Sequence, residues 1–78
     1  MSKTTKKDLD KMTHYINLYA KFGFMLTKVQ QQAFELYFNK DLSYAEVAEI
    51  LATSRSGAYD AVNKAVKKLE KIQQQKEI

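Results

Sequence analysis

A break at Ala52-Thr53-Ser54, with helical periodicity on either side of it, constrains this chain more than any other feature. Upstream, Ser43 stands where it can cap a helix. Glu46, three residues later, completes a capping box, in which each side chain bonds the other residue's backbone N–H. Val47, Ala48 and Leu51 then share one face, and the small Ala48 suits a close helix crossing. Beyond the break, Ser54 can cap a second, longer helix. Ala58, Val62, Val66, Leu69 and Ile72 give that helix an apolar stripe. Residues 43–62 therefore predict a helix-turn-helix, a layout whose second helix can enter a DNA major groove.

The remainder also reads as helical. The chain has no proline, only two glycines (Gly23 and Gly57), and no strand-like alternation. A first helix is expected from about Asp8 to Phe22, with Leu9, Met12, Ile16 and Tyr19 as its stripe. Asp8 and Asp10 sit at its positive end, where the dipole favours them. Gly23 is the expected C-terminal cap, and Phe24, Met25 and Leu26 form an apolar linker expected to plug the core. Thr27 and Gln30 make a second capping-box pattern, opening a helix with Ala33, Phe34, Tyr37 and Phe38 inward. Asn39-Lys40-Asp41 is turn-like. The third helix is expected over about Tyr44 to Leu51 and the fourth over about Arg55 to Gln74. The fold class is thus all-α, four helices in a single domain over residues 1–78, with residues 1–7 and 75–78 expected as disordered tails.

The fourth helix is long for its neighbours. Val62, Val66, Leu69 and Ile72 continue at near-heptad spacing, so the overhang needs cover from the first helix or from the same helix of a second subunit. At 78 residues and without cysteine, the chain lies near the lower limit for an independent core and has no disulfide staple. A homodimer is expected on that ground. No apolar run approaches the ~20 residues needed to span a bilayer, and no apolar segment follows the basic N-terminus. The chain is therefore expected to be cytoplasmic, with no membrane insertion.

The net charge of +4 is unevenly placed: +3 over residues 1–23, −2 over residues 24–54 and +3 over residues 55–78. Basic ends of this kind suit contact with polyanions, although solvated helix faces explain most charge runs.

Taken in order, the segments Ile16-Asn17-Leu18-Tyr19, Leu26-Thr27-Lys28-Val29-Gln30, Phe34-Glu35-Leu36-Tyr37-Phe38, Leu42 to Ala48 and Ser54 to Asp60 resemble a known family. The helix-turn-helix is similar to region 4 of bacterial sigma factors. The ordered set over residues 14–72 more closely resembles the YlxM family of small bacterial helix-turn-helix proteins. The resemblance implies a regulator tied, by gene neighbourhood, to the signal recognition particle, and it adds that particle's RNA as a candidate partner. Two positions depart from the pattern. Ala52 stands where Gly or Asn is usual, and a left-handed residue there costs Ala roughly 1–2 kcal/mol. Gly57 stands where Ala is usual, which admits close approach of a phosphate or a neighbouring helix.

Arg55, Ser56, Tyr59, Asp60 and Asn63 are expected to face outward at the start of the fourth helix, where a recognition helix reads base edges. Arg55 could fork onto guanine and Asn63 onto adenine, while Tyr59 could stack on an unpaired base. Lys64, Lys67, Lys68 and Lys71 share a flank that could neutralise phosphates. The plainer reading is a solvated helix, with Asp60 paired to Lys64 and Arg55 lying over Tyr59. The other aromatic side chains are expected in the core. His14 is the only histidine, and nothing at suitable spacing joins it in a metal site. No catalytic constellation or phosphate-cradling loop is present, so neither an enzyme nor a cofactor is expected. The sequence thus points to a nucleic-acid-binding regulator that meets duplex DNA or structured RNA and acts, by resemblance, in the signal recognition particle pathway. A ribonucleoprotein accessory factor of protein targeting and a dimeric protein-interaction scaffold stay open beside it.

Overall fold

The computed structural model describes residues 9–76, with side chains from 10 to 75. Four α-helices follow one another: α1 (Leu9–Phe22), α2 (Lys28–Phe34), α3 (Tyr44–Leu51) and α4 (Arg55–Lys76). A short 3₁₀ turn (Gly23–Met25) joins α1 to α2, and a π-helical turn (Glu35–Asn39) extends α2. There is no strand among the described residues.

The helix starts follow from side chains that satisfy backbone N–H groups left over at the first turn. The Gln30 N–H donates to Thr27 Oγ1 and the Thr27 N–H to Gln30 Oε1, both at 3.1 Å. The box at α3 has the same form: the Glu46 N–H donates to Ser43 Oγ at 3.2 Å, and the Ser43 N–H to Glu46 Oε1 at 2.8 Å. Ser54 Oγ accepts from the Gly57 N–H at 3.0 Å and so caps α4.

Helix α4 is the spine. It packs against α1, α2 and α3. Ala58, Val62, Ala65, Leu69 and Ile72 are buried along it, together with Leu18 of α1, Ala33 and Phe34 of α2, Phe38, and Val47 and Ala48 of α3. Leu69 is fully buried within one chain, so the far half of α4 is covered without a second copy. The Tyr15 hydroxyl of α1 donates to Glu70 Oε2 at 3.0 Å, fixing α1 over that half.

The turn between α3 and α4 resolves the question raised by Ala52. Its φ and ψ are 56° and 47°, the left-handed region. The Thr53 N–H reaches Ala48 O at 2.9 Å and the Ala52 N–H reaches Glu49 O at 3.3 Å, the paired bonds of a Schellman motif. The site accepts the strain of a Cβ in exchange for satisfying two terminal carbonyls. Gly57 has no positive φ. A Cβ there would collide with Thr53 Oγ1, so the space it leaves is filled by the turn rather than by a phosphate or another helix.

Several expectations are corrected. Gly23 is not a left-handed cap, since no glycine has positive φ. It is needed for its size, because a Cβ would stand 2.8 Å from the Tyr19 ring. Of the apolar linker, only Leu26 enters the core; Phe24 is 78% exposed and Met25 42%. In α1, Leu18 is the buried residue, with Met12, Tyr15, Ile16, Tyr19 and Phe22 packed around it. The inward face thus includes the expected Met12-Ile16-Tyr19 line and extends beyond it to Tyr15, Leu18 and Phe22. In α4, Ala65 is fully buried and Val66 only half-buried. The π turn and the left-handed Asp41 (φ 57°) carry no sequence periodicity that announces them. Helix α4 runs through Lys76, past the expected Gln74. The expected roles of Asp8 and the tail at residues 1–7 lie outside the described residues, as do positions 77 and 78.

The strain at Ala52 is testable. Ala52→Gly removes a left-handed Cβ worth about 1–2 kcal/mol and adds unfolded-chain entropy of about 0.5–1 kcal/mol. A net gain of up to about 1 kcal/mol is expected, as a higher urea midpoint at unchanged slope. A lowered midpoint would contradict this geometry for the turn.

Candidate nucleic-acid interface

Because α4 turns one face to the core, its opposite face is presented to solvent, beginning at the turn. Arg55, Ser56, Tyr59 and Asp60 are exposed there, and Lys64, Lys67, Lys68 and Lys71 are exposed further along. The short, capped turn sets where this face begins, since the Schellman bonds and the Ser54 cap leave no slack between α3 and α4.

Not every side chain expected to reach outward does so. Asn63 is half-buried, and its Nδ2 donates to Tyr59 O at 2.9 Å. One of its two amide N–H groups is thus engaged by the helix backbone one turn back, leaving the other N–H and Oδ1 to reach a ligand. Lys64 Nζ lies 3.1 Å from Asp60 Oδ2, an exposed i,i+4 pair. The pair places an acid within the basic flank, as the plainer reading anticipated. Exposed pairs contribute little to stability.

Tyr59 is the outer end of a continuous series of rings. Tyr19 of α1 stacks on Phe34 at 4.5 Å, and Phe34 meets Phe38 at 4.5 Å. Phe38 meets Tyr37 edge-on at 5.0 Å, and Tyr37 stacks on Tyr44 at 4.4 Å. Tyr44 then meets Tyr59 edge-on at 5.1 Å. Tyr59 is 53% exposed, so it is the ring of this series offered to a ligand beside the basic face. Tyr44 was missed as a site residue. The only sequence cue was its place on the first turn of α3, one position after the cap. With Arg55, Ser56 and Tyr59 it lines an open depression of about 630 Å³.

Burial and hydrogen bonding raise the pKa of three inner tyrosines above the ordinary phenol value. Tyr19 is pushed up to about 12, first by burial and then by its hydrogen bond to Glu35. Tyr15 is raised by burial and then by its bond to Glu70. Tyr44 is raised by burial, then by hydrogen bonding to Tyr37. His14 is exposed and touches Tyr15 at a 5.4 Å ring separation. Among the described residues no group of three or more His, Cys, Asp or Glu could hold a metal ion, and no helix is long and apolar enough to cross a membrane.

Residues 9–78 match the family described as "Putative helix-turn-helix protein, YlxM / p13 like" (UPF0122). The chain belongs to this family. Among its relatives, a UPF0122 protein of Caldanaerobacter subterraneus subsp. tengcongensis is 45% identical over 53 residues, covering 68% of this chain and 45% of the relative. One from Clostridium perfringens is 43% identical over 61 residues, covering 73% and 54%. One from a Thermoanaerobacter species is 42% identical over 53 residues, covering 68% and 45%. The chain thus spans about half the length of these UPF0122 relatives. No solved structure matches it.

The tyrosine shifts give a pH dependence with a definite sign. A phenol whose folded pKa lies above its unfolded value of about 10 binds its proton more tightly in the native state. Its contribution is complete below pH 10 and is lost as the pH rises through the folded value, which for Tyr19 is about 12. Urea midpoints should therefore fall across this window, and less steeply in Tyr19→Phe, which keeps the stack on Phe34. Parallel decline of the two proteins would contradict the Tyr19–Glu35 contact.

Proposed function

We propose that this UPF0122 protein is a cytoplasmic nucleic-acid-binding regulator that inserts the N-terminal half of α4 into a groove. The observation that carries this reading is the division of α4 into two faces. One is consumed by the core through Ala58, Val62, Ala65, Leu69 and Ile72. The other offers Arg55, Ser56 and Tyr59 followed by a flank of exposed lysines. Within this reading the side chains divide by task. Arg55 is the only arginine, and its planar fork makes two parallel bonds that a lysine cannot reproduce. Ser56 and Tyr59 stand beside it. Lys67, Lys68 and Lys71 neutralise phosphates and set register without reading sequence; Lys64 joins them by exchanging Asp60 for a phosphate. Asn63 supports the helix backbone.

The family membership supports a helix-turn-helix regulator, and the signal recognition particle pathway is the setting the resemblance implies. There the polyanion is a structured RNA and the protein an accessory factor of a ribonucleoprotein. Both settings require salt-dependent affinity for a polyanion, which a protein-interaction scaffold built on the same helices lacks.

Fluorescence anisotropy over a salt series, with duplex DNA and structured RNA, tests this reading. Arg55→Ala should cost about 1–3 kcal/mol of specific binding and relax sequence preference, whereas Lys67→Ala should weaken all sequences alike and lower the salt slope by about one. Absence of binding to either polymer at low salt would overturn the proposal in favour of the scaffold.

A further inference from the structure

The geometry points to the depression at the start of α4 as a seat for one unpaired nucleobase, which makes the preferred partner a structured RNA carrying a bulge or loop beside a paired segment. This inference rests on the nucleic-acid reading and narrows it.

Four features converge there. The first is a corner of two aromatic rings: Tyr44 and Tyr59 meet at 5.1 Å with their planes 74° apart. One ring can lie under a base while the other closes an edge. The second is rigidity. Tyr44 is stacked on Tyr37 at 4.4 Å and 10°, and that stack continues into the core through Phe38 and Phe34. The corner is thus held before a ligand arrives, and little ordering cost falls on binding. The third is chemistry: Arg55 and Ser56 complete the lining, which contains no carboxylate. A guanidinium can stack on a base or donate to its acceptor edge, and a hydroxyl can donate or accept. The nearby acid, Asp60, is outside the lining and faces Lys64. The fourth is access: the depression, of about 630 Å³, is open to solvent, so a base can enter it from outside.

A base in a continuous duplex has both faces stacked and cannot reach this corner without being pulled out. A base in a bulge or loop is already unstacked, and aromatic stacking on it is tolerant of sequence. A-form RNA closes its major groove to side chains, so proteins read RNA at such interruptions; on RNA the start of α4 meets the seated base there, in place of the groove insertion it makes on duplex DNA. The lysines of α4 then lie along the paired segment flanking the seated base.

The shared chemistry is the unpaired base, which a bulged DNA can also supply. The test therefore uses four hairpins, each closed by a non-nucleotide linker so that no loop base competes for the seat: RNA and DNA, each with and without a single bulged 2-aminopurine. Anisotropy gives affinity and the fluorophore reports stacking. The bulged RNA should bind about tenfold or more tightly than its paired counterpart, with quenching of the bulged base on binding. Tyr59→Leu should bring the bulged-to-paired ratio close to one and abolish the quench, whereas Tyr59→Phe, which keeps the π face, should preserve both. Circular dichroism checks that each variant is folded. Equal affinity for bulged and paired hairpins, without quenching, would overturn the seat while leaving nucleic-acid binding in place. A preference for the bulged DNA over the bulged RNA would overturn the RNA assignment. No binding to any hairpin at low salt would overturn both this inference and the reading it rests on.

Discussion

Everything in this fold depends on the burial of one face of α4. Ala58, Val62, Ala65, Leu69 and Ile72 recur at spacings of four and three residues and meet all three other helices. Each large side chain among them contributes about 1.5–3 kcal/mol by leaving water, while the alanines let neighbouring helices approach closely. A domain of this size has no second core to fall back on. The other helices also touch one another, as where Tyr19 of α1 stacks on Phe34 of α2, but α4 is the element that all three share. The demand that this face be dry is also what leaves the opposite face polar, so a single helix is both the spine and the candidate binding surface.

The turn before α4 sets the geometry of the candidate site. Two Schellman bonds and the Ser54 cap fix the approach of α3 to α4 at the cost of a left-handed Ala52. Arg55 and Ser56 then emerge directly from the turn, and Tyr59 one helical turn later stands against Tyr44 of α3. The rings between Tyr44 and Tyr19 tie this surface to α1, so packing in the core and geometry at the surface are one set of contacts. The phenols along it are neutral at ordinary pH, as tyrosines are, and burial with hydrogen bonding extends that neutrality to higher pH.

The parts of this that were legible in sequence are those carried by short, fixed spacings. The Thr27–Gln30 and Ser43–Glu46 boxes each join residues three apart, and both form as read. The α4 stripe was legible except at Ala65, whose small side chain adds little to a periodicity although its position is fully buried. In α1 the apolar residues cover more than half of the helix surface, so periodicity alone did not single out Leu18 within that face; contact with α4 decides it. The π turn and Asp41 have no pattern because they are set by closure of the tertiary structure. Phe24 reads as core by hydropathy yet is exposed, because the 3₁₀ turn directs only Leu26 inward. At the candidate site, Arg55, Ser56 and Tyr59 were legible from the helix start. The involvement of Tyr44 and the inward bond of Asn63 were not, since both depend on contacts between turns or helices.

The central claim is that the outward face of α4, from the turn onward, is the surface that meets nucleic acid. Titration of isotope-labelled protein with a bulged RNA hairpin, followed by amide NMR, tests it most directly. The expected result is salt-sensitive shifts at Arg55, Ser56, Gly57, Tyr59, Lys67 and Lys68, with Tyr44 of α3 moving alongside them and with Phe24 and Val29 at the far turn unmoved. Shifts confined to the Phe24–Val29 region, or absent throughout α4 at low salt, would contradict it.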